Sequence, residues 1–356
     1  MALTSRITLR RRASSDVDGA EDFFASSLGV IFPDDVTARH GDNEHPLIYT
    51  SPHLPRTLDI TISDPNVEQD RMLYSHYLWN ASLQLAEFVE AGSLGLPLSV
   101  GVPTLRRGDD GHEDNHGKGK EEGFSVANFD IRGQRTLELG AGTALPSIMA
   151  SLLGAHSVAV TDYPSDMVLR TLRQNIAANC TRIELSPYGT LAPVTVAGHS
   201  WGEVDDGSGS DSSGNDFEFT GRNCGAFDRI FVSDCLWMPE QHENLRKSIS
   251  HFLKERSLSS GASAVTQTAA EGHFTEPQAW VVAGFHTGRA KVIGFFNAEA
   301  LARHGLEVER IWERDCNGIE RPWSEDRGIE DQAERKRWLV IAILKRRRKS
   351  KGDRET

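Results

Sequence analysis

Apolar and polar positions follow two different periods along the middle of the chain. Short apolar runs at Arg135–Gly140, Ser157–Tyr163 and Phe227–Asp234 predict buried strands. Between them, the apolar residues of Thr143–Leu153 and Ser165–Asn179 recur at helical spacing. Strands that alternate with helices in this order predict an α/β fold, in which helices cover a mainly parallel sheet.

The alternation ends before the C-terminus. Leu306–Asp315 and Arg337–Leu344 both predict strands, with no predicted helix between them. Consecutive strands without a crossover helix pair in antiparallel fashion. We therefore predict a Rossmann-like seven-stranded sheet with an antiparallel final strand pair, and not the six parallel strands of a dinucleotide-binding fold. The other predicted elements are strands at Val194–Val196 and Trp280–Phe285 and helices at Arg71–Ala91, Glu240–Glu255 and Ala290–His304.

Composition divides the chain into regions. Two segments rich in Gly, Ser and charged residues are predicted to be flexible surface inserts, because they cannot bury enough apolar surface to offset the entropy of ordering them. The regions are a turn-rich, partly disordered N-terminal extension at 1–70 that packs on the main domain, a domain at 71–345 with inserts at 106–123 and 205–223, and a basic tail at 346–356.

Charge and cysteine usage exclude some classes of function. Among 356 residues, 51 acidic and 39 basic side chains give a net charge of −12, which argues against a nucleic-acid-coating surface. The basic run Lys345–Lys349 is interpreted as a solvated end, with nuclear import or an acidic partner as the alternatives. Four widely spaced cysteines show no zinc spacing, and no apolar run is long enough to span a membrane.

These features predict a cytoplasmic protein, with a nuclear location as a further option, that is monomeric and binds neither nucleic acid nor membrane. The cluster His112, Glu113, Asp114 and His116 lies in a polar tract and is interpreted as solvated rather than as a metal site.

The strongest chemical signal is a glycine turn between the first predicted strand and its helix. Gly140 and Gly142 have no side chains, so a ligand can lie against the backbone there. Asp162 ends the second strand, where an acid can accept hydrogen bonds from a ribose. The third glycine of a dinucleotide fingerprint is missing. Glu138 would repel a pyrophosphate but attract a cationic amino-acid ligand, directly or through water.

S-adenosylmethionine has such a cationic end, and the segment Glu138–Pro146 resembles the first motif of the seven-β-strand methyltransferases. A nicotinamide-binding unit and a degenerate unit without a ligand remain the alternatives. Leu78–Ala81 and Ser233–Trp237 resemble the lysine-methyltransferase-like group, which includes protein methyltransferases and nicotinamide N-methyltransferase-like proteins. Asp162–Pro164 and His199–Gly202 are most similar to the fungal enzymes that methylate the N-terminus and adjacent lysine of translation elongation factor 1-alpha.

The resemblance implies S-adenosylmethionine as the cofactor and a role for each matching residue. The implied cofactor contacts are Trp79 over the methionine end, the backbone of Gly140, Ala141 and Gly142 as a cradle, Asp162 on the ribose, Trp201 beside the adenine and Ser233 in the pocket wall. For both tryptophans, core packing is the alternative interpretation.

The part of the site that holds the methyl acceptor is predicted at Asp234, Trp237 and His286, after the fourth and fifth strands. An aromatic face can hold a cationic amine, and Asp234 could orient that amine, accept its proton, or serve only as a helix cap or structural hydrogen-bond partner. Arg289 is predicted at the same edge. The turn Gly284–Arg289 lacks the proline that we associate with protein-methylating relatives.

The implied function is S-adenosylmethionine-dependent N-methylation of a protein amine, either a lysine or an N-terminal α-amino group, with a translation elongation factor as a candidate substrate. A small-molecule N-methyltransferase of the nicotinamide type is the second interpretation. The third is a non-catalytic module that binds S-adenosylmethionine. The reaction needs no metal, because alignment and desolvation of the amine supply most of the rate gain.

Overall fold

The computed structural model describes residues 2–10, 38–41, 46–63, 77–97, 129–204, 215–255 and 276–348. The strands are β1 Ile7–Leu9, β2 Arg39–His40, β3 Leu47–Tyr49, β4 Leu58–Ile60, β5 Leu78–Trp79, β6 Arg135–Leu139, β7 Ser157–Asp162, β8 Val194–Gly198, β9 Arg229–Ser233, β10 Gln278–Gly284, β11 Leu306–Asp315, β12 Glu320–Pro322 and β13 Trp338–Arg346. The helices are α1 Asn80–Leu94, α2 Leu145–Leu152, α3 Asp166–Asn179, α4 Asn215–Arg222, α5 His242–Phe252, α6 Arg289–Ile293, α7 Ala298–Arg303 and α8 Gln332–Arg337.

One large sheet organises the molecule, with strand order β12-β11-β13-β10-β9-β6-β7-β8. Strands β6 to β10 run parallel, and β13 is antiparallel to both of its neighbours, β10 and β11. From β6 the chain moves outward through β7 and β8, then returns to the other side of β6 for β9 and β10. This order, with the last long strand inserted beside the fifth, is the seven-stranded methyltransferase arrangement. The predicted fold class is confirmed.

Both faces of this sheet are buried because successive side chains of each strand enter different layers. Phe231, Trp280 and Val282 pack in one apolar cluster with α1, α2 and α3, whereas Ile230 and Val281 pack in a second cluster with α5 and α7. This two-sided burial explains why the strands are near-continuous apolar runs in the sequence.

The C-terminal third differs from the prediction in three places. The short strand β12 adds an eighth strand to the sheet, and α8 lies between β12 and β13, where no helix was expected. The single helix predicted over 290–304 is divided into α6, a 3-10 turn at Gly294–Phe296 and α7. The division occurs where Asn297 caps α7 by accepting a hydrogen bond from the Ala300 N–H at 2.9 Å.

The prediction of a flexible insert at 205–223 is wrong for the second half of that segment, which forms helix α4. Phe219 of α4 packs against Phe252, with ring centroids 5.9 Å apart, and Thr220 is buried. Averaged composition hid this apolar contact within a Gly- and Ser-rich segment. Residues 205–214 and the whole of the predicted insert at 106–123 lie outside the described residues.

The first helix of the main domain begins at Asn80, later than predicted, because Leu78 and Trp79 form strand β5. Strand β5 pairs with β2, which places Arg39 opposite Trp79. The segment 71–76 lies outside the described residues. An N-terminal strand therefore holds Trp79 at the entrance to the main domain.

Residues 2–10 at the beginning of the predicted N-terminal extension are structured. Strand β1 joins a three-stranded sheet with β3 and β4, and Leu3, Tyr49 and Leu58 are buried in the core. Buried Arg6 donates to Glu90 at 2.9 Å, to the Tyr49 hydroxyl at 3.0 Å and to Glu87 at 3.2 Å. Both glutamates belong to α1, so one guanidinium ties the N-terminal sheet to the main domain.

We expect Arg6→Ala to lower the free energy of unfolding by about 3–5 kcal/mol, because it leaves the buried Glu90 carboxylate without its cation. Urea denaturation of the full chain measures this change. The matched control is Arg10→Ala, which removes an exposed ion pair to Asp59 and is expected to cost about 0.2–1 kcal/mol. Equal, small effects of the two substitutions would contradict the anchoring role of Arg6.

Candidate active site

The loop after β6 has a backbone that only small residues allow. Gly140 has φ +65°, and a Cβ there would lie 2.7 Å from Cys235 Sγ and 2.8 Å from Trp201 Cζ2. Gly142 has φ +54°, but a Cβ there would meet no described atom within 4 Å. Gly140 is therefore required for close packing, whereas Gly142 leaves its side of the loop open to a ligand.

Asp162 fastens this loop to the neighbouring strand. Its Oδ2 accepts a hydrogen bond from the Gly142 N–H at 2.7 Å, and its Oδ1 accepts one from the Tyr163 N–H at 2.7 Å. Burial raises the pKa of Asp162 to about 6, despite these two bonds. Each carboxylate oxygen can accept a further hydrogen bond, so the same group can hold the loop and bind a ligand.

A cleft of about 380 Å³ opens at the carboxyl edge of the sheet, between the β6 and β9 loops. This is the topological switch point of the strand order, where open α/β sheets bind their ligands. Except for Glu138, His286 and Arg289, all of the residues that the sequence placed at this edge line the cleft. Those residues are Trp79, Gly140, Ala141, Gly142, Asp162, Trp201, Ser233, Asp234 and Trp237.

Other lining residues were not predicted from the sequence. Met238 and Gln241 follow Trp237 in the connection from β9 to α5, and Asn244 lies in the first turn of α5, where its amide donates to Gln241 Oε1 at 2.9 Å. Tyr163, which is 51% exposed, borders the cleft beside Asp162. The sequence offered only position as a signal for these residues, because they follow the carboxyl ends of β7 and β9 in the chain.

Glu138 is buried and does not line the cleft. Its side chain is therefore not placed for the direct ligand contact that was one of the two contacts predicted for it. The side chain is fully buried, and its Oε2 accepts hydrogen bonds from the Ser147 N–H at 3.1 Å and the Ser147 hydroxyl at 2.5 Å. Burial raises the pKa of Glu138 to about 8. Glu138 therefore supports the first turn of α2.

Several polar atoms around the cleft have no hydrogen-bond partner among the described residues. They are Glu138 Oε1, Thr143 Oγ1 and Ser233 Oγ. Buried polar groups without partners are rare in folded proteins, except where a ligand or water completes the bonding. Together with the open backbone at Gly142, these atoms fit a polar ligand in the cleft.

Asp234 has a strained backbone at the end of β9, with φ +58°. Its Oδ1 accepts a hydrogen bond from the Gly284 N–H at 3.1 Å, and its Oδ2 lies 3.9 Å from His286 Nδ1. Burial raises the pKa of Asp234. The structural hydrogen bond considered from the sequence is present, and it links the ends of β9 and β10.

His286 is not in the cleft itself. Its ring stacks on Trp79, with centroids 4.6 Å apart and planes 17° apart. It lines an adjoining groove of about 830 Å³, which shares Trp79, Trp237 and Met238 with the cleft. Trp79 and Trp237 therefore form the boundary between the cleft and the groove.

Arg289 does not face the ligand edge, contrary to the sequence prediction. Its guanidinium is buried, pairs with Glu313 at 2.7 Å and Glu330 at 2.8 Å, and lies 4.0 Å over the Phe285 ring. Both acids follow Arg289 in the chain by more than twenty residues. The arginine fastens the C-terminal strands to the turn that carries His286.

In the described ranges, His, Cys, Asp and Glu side chains form no group of three or more that could hold a metal ion. The predicted solvated cluster at His112, Glu113, Asp114 and His116 lies outside those ranges. No described helix combines the length and the apolar character needed to cross a membrane.

No family model matches this chain. It is, however, 31% identical over 186 residues to the protein N-terminal and lysine N-methyltransferase EFM7 of Gibberella zeae. The aligned region covers 52% of this chain and 61% of that protein. The enzyme of the same name from Emericella nidulans is 27% identical over 52% of this chain and 54% of its own length. That of Cryptococcus neoformans is 24% identical over 82% of this chain and 81% of its own length.

The chain resembles the protein N-terminal and lysine N-methyltransferases. The resemblance that the motifs predicted is thus confirmed, although the chain spans less than two thirds of the first two relatives. Among solved structures, an arsenic(III) S-adenosylmethionine methyltransferase from Chlamydomonas reinhardtii is similar over 72% of each chain, at 11% identity and a TM-score of 0.38. The strand order, and not that likeness, defines the fold.

We expect Glu138→Gln to flatten the pH dependence of stability. Between pH 4.5 and about 8, the folded chain holds a proton on Glu138 that the unfolded chain has lost. Wild-type stability therefore falls as pH rises through this window, by at most about 1.4 kcal/mol per pH unit from this group. Glutamine removes this loss and keeps an acceptor for Ser147.

Urea unfolding at a series of pH values between 5 and 8 measures the two slopes. Glu299→Gln, at an exposed position on α7, is the matched control and should reproduce the wild-type slope. A Glu138→Gln slope equal to that of wild type would show that Glu138 is ionised in the folded protein.

We expect Asp162→Ala to weaken binding of S-adenosylhomocysteine by tenfold or more while the protein stays folded. A charge-assisted hydrogen bond contributes about 1.5–3 kcal/mol, and the substitution also releases the Gly142 N–H. Calorimetric titration measures the affinity, and circular dichroism checks the fold. The control is Asp166→Ala, an exposed acid outside the cleft, which should bind as wild type does. Unchanged affinity in folded Asp162→Ala would remove Asp162 from the site.

Proposed function

We propose that this protein is an S-adenosylmethionine-dependent N-methyltransferase whose acceptor is a protein amine, either a lysine or an N-terminal α-amino group. The observation that carries the proposal is the cleft at the sheet's switch point. It combines a glycine loop, a strand-end acid and two boundary tryptophans in one cavity. A translation elongation factor is the candidate substrate that the sequence resemblance indicates.

The chain's own residues account for cofactor binding in this proposal. Asp162 would accept hydrogen bonds from the ribose, Trp201 would border the adenine, and the open backbone at Gly142 would lie under the amino-acid end. When bound, S-adenosylmethionine supplies a methyl group that its sulfonium has already activated. Ser233 Oγ and Thr143 Oγ1, which lack partners among the described residues, are available to complete the contacts.

The acceptor end needs groups that hold an amine in line and exclude water. Trp79 and Trp237 separate the cleft from the groove, and His286 covers one face of Trp79, so an amine that enters from the groove meets the remaining aromatic faces of this boundary. Such faces attract a cationic amine. Asp234 lines the cleft and can take up an amine proton there, because its raised pKa makes the carboxylate a better base. Alignment and desolvation of the amine would supply most of the rate gain.

The named relatives support a protein acceptor, because their names specify protein N-terminal and lysine N-methylation. The small-molecule alternative predicts transfer to a nicotinamide-like amine instead. The non-catalytic alternative predicts cofactor binding without transfer.

The test uses the full chain with S-adenosylmethionine carrying a radiolabelled methyl group and a fungal cell extract depleted of small molecules. Label in a protein band, located by mass spectrometry on a lysine or an N-terminus, is the expected result. Label only in an added small-molecule fraction would favour the nicotinamide-type enzyme. Cofactor binding without any labelled product would favour the non-catalytic module.

We expect Trp237→Ala to lower kcat at saturating cofactor by at least tenfold while cofactor affinity changes less than threefold. The indole borders both cavities, so its loss removes an acceptor contact and admits water. Trp237→Phe retains an aromatic face and should recover most of the turnover. A large loss of cofactor affinity with normal turnover at saturation would place Trp237 in the cofactor pocket instead.

A further inference from the structure

The groove beside the cleft carries a charge opposite to that of the protein as a whole. Among the described residues that line it, Arg39, Lys291 and Lys336 are cations and Glu240 is the acid. The whole chain has a net charge of −12. A local excess of positive charge at one cavity of an acidic protein is therefore a specific feature and not a consequence of composition.

The cations come from separate parts of the fold. Arg39 belongs to β2 in the N-terminal extension, Lys291 to α6 after the fifth parallel strand, and Lys336 to α8 before the final strand. No local sequence run produces this grouping, which exists only because these three segments meet at the groove. Charges that converge from distant segments create a potential that can select a partner.

Arg39 is held in place from two sides. Its backbone pairs with Trp79 across the β2–β5 ladder, and its guanidinium lies 4.3 Å over the Tyr77 ring. Tyr77 and Trp79 also line the cofactor cleft. The positive charge of Arg39 is thereby fixed beside the boundary between the two cavities.

The cleft on the other side of that boundary has the opposite sign. Its charged lining residues in the described part of the chain are Asp162, Glu203 and Asp234. A cationic amine is attracted toward this acidic cleft, whereas groups that remain in the groove face Arg39, Lys291 and Lys336. The pair of cavities therefore matches a ligand with a positive amine and negative charge nearby.

One further polar atom lies in the groove wall. Thr287 Oγ1 is buried and has no hydrogen-bond partner among the described residues. A hydroxyl can donate to a carboxylate, and such bonds to a charged acceptor are stronger than those between neutral groups.

We propose, on the basis of the proposed function, that the groove binds acidic residues flanking the methylated amine of a polypeptide. The substrate class is thus a lysine or N-terminal amine with Asp or Glu within a few residues. Arg39 and Lys291 are specificity determinants that act on these flanking residues, and they take no part in methyl transfer itself.

The test compares three synthetic peptides of equal length, each with one central lysine flanked by glutamates, by glutamines or by arginines. Steady-state methyl transfer by the full chain gives KM and kcat for each peptide. We expect the glutamate-flanked peptide to have the lowest KM, by at least fivefold, and to lose this advantage as salt is raised from 50 to 500 mM.

Charge reversal tests the named residues. Arg39→Glu and Lys291→Glu are each expected to raise KM for the glutamate-flanked peptide by about five- to tenfold, with little change for the glutamine-flanked peptide. Arg170→Glu alters the net charge identically at an exposed position on α3 outside the groove, and should leave both KM values unchanged. Equal effects of Arg39→Glu and Arg170→Glu would overturn the proposal, as would a lack of preference among the peptides.

Direct binding separates this proposal from the proposed function. Fluorescence anisotropy of labelled peptides needs no catalysis. Salt-sensitive binding of the glutamate-flanked peptide that Arg39→Glu weakens, without any methylation, would support the acidic-ligand groove and count against the methyltransferase. Methylation of all three peptides with equal KM would support the methyltransferase and count against the acidic-ligand groove. Absence of binding by any peptide would overturn the groove proposal.

Discussion

The rest of the site depends on the contacts that hold the glycine loop against the neighbouring strands. Asp162 accepts from the Gly142 N–H, the Ala141 N–H donates to the Thr161 carbonyl at 3.0 Å, and Trp201 packs where a side chain at Gly140 would clash. These contacts join the ends of β6, β7 and β8 at one edge. These contacts hold the glycine loop at the carboxyl edge of the sheet, and the loop forms one wall of the cleft.

On the acceptor side, a second set of contacts joins the N-terminal strands to the ends of β9 and β10. Trp79 is held by an N-terminal strand and stacks on His286, which follows β10, while Asp234 binds the Gly284 N–H from the end of β9. The N-terminal segments are thus part of the candidate site and not an appendage. Arg6 and Arg289 make this possible, because each fixes a segment next to the site through buried ion pairs.

Features that depend on local sequence pattern could be predicted from the sequence, whereas features that depend on tertiary contacts could not. The strand–glycine–helix unit and the terminal acid of β7 lie within thirty residues, so the sequence could place Gly140 and Asp162 at the same edge of the sheet. The burial of Glu138 and its bonds to Ser147 could not be predicted, because they depend on packing that periodicity does not report. Arg289 was misjudged because its partners, Glu313 and Glu330, come from distant segments. The pairing of Arg39 with Trp79 and the helix α4 were missed for the same reason: tertiary contacts decide them.

The central claim is that this edge of the sheet is a cofactor site with an acceptor groove beside it. A crystal structure of the full chain with S-adenosylhomocysteine tests it most directly. The account predicts ribose hydroxyls within hydrogen-bonding distance of the Asp162 carboxylate, the adenine beside Trp201, and the sulfur directed toward the boundary formed by Trp79 and Trp237. A ligand bound elsewhere, or one whose sulfur faces away from that boundary, would contradict it.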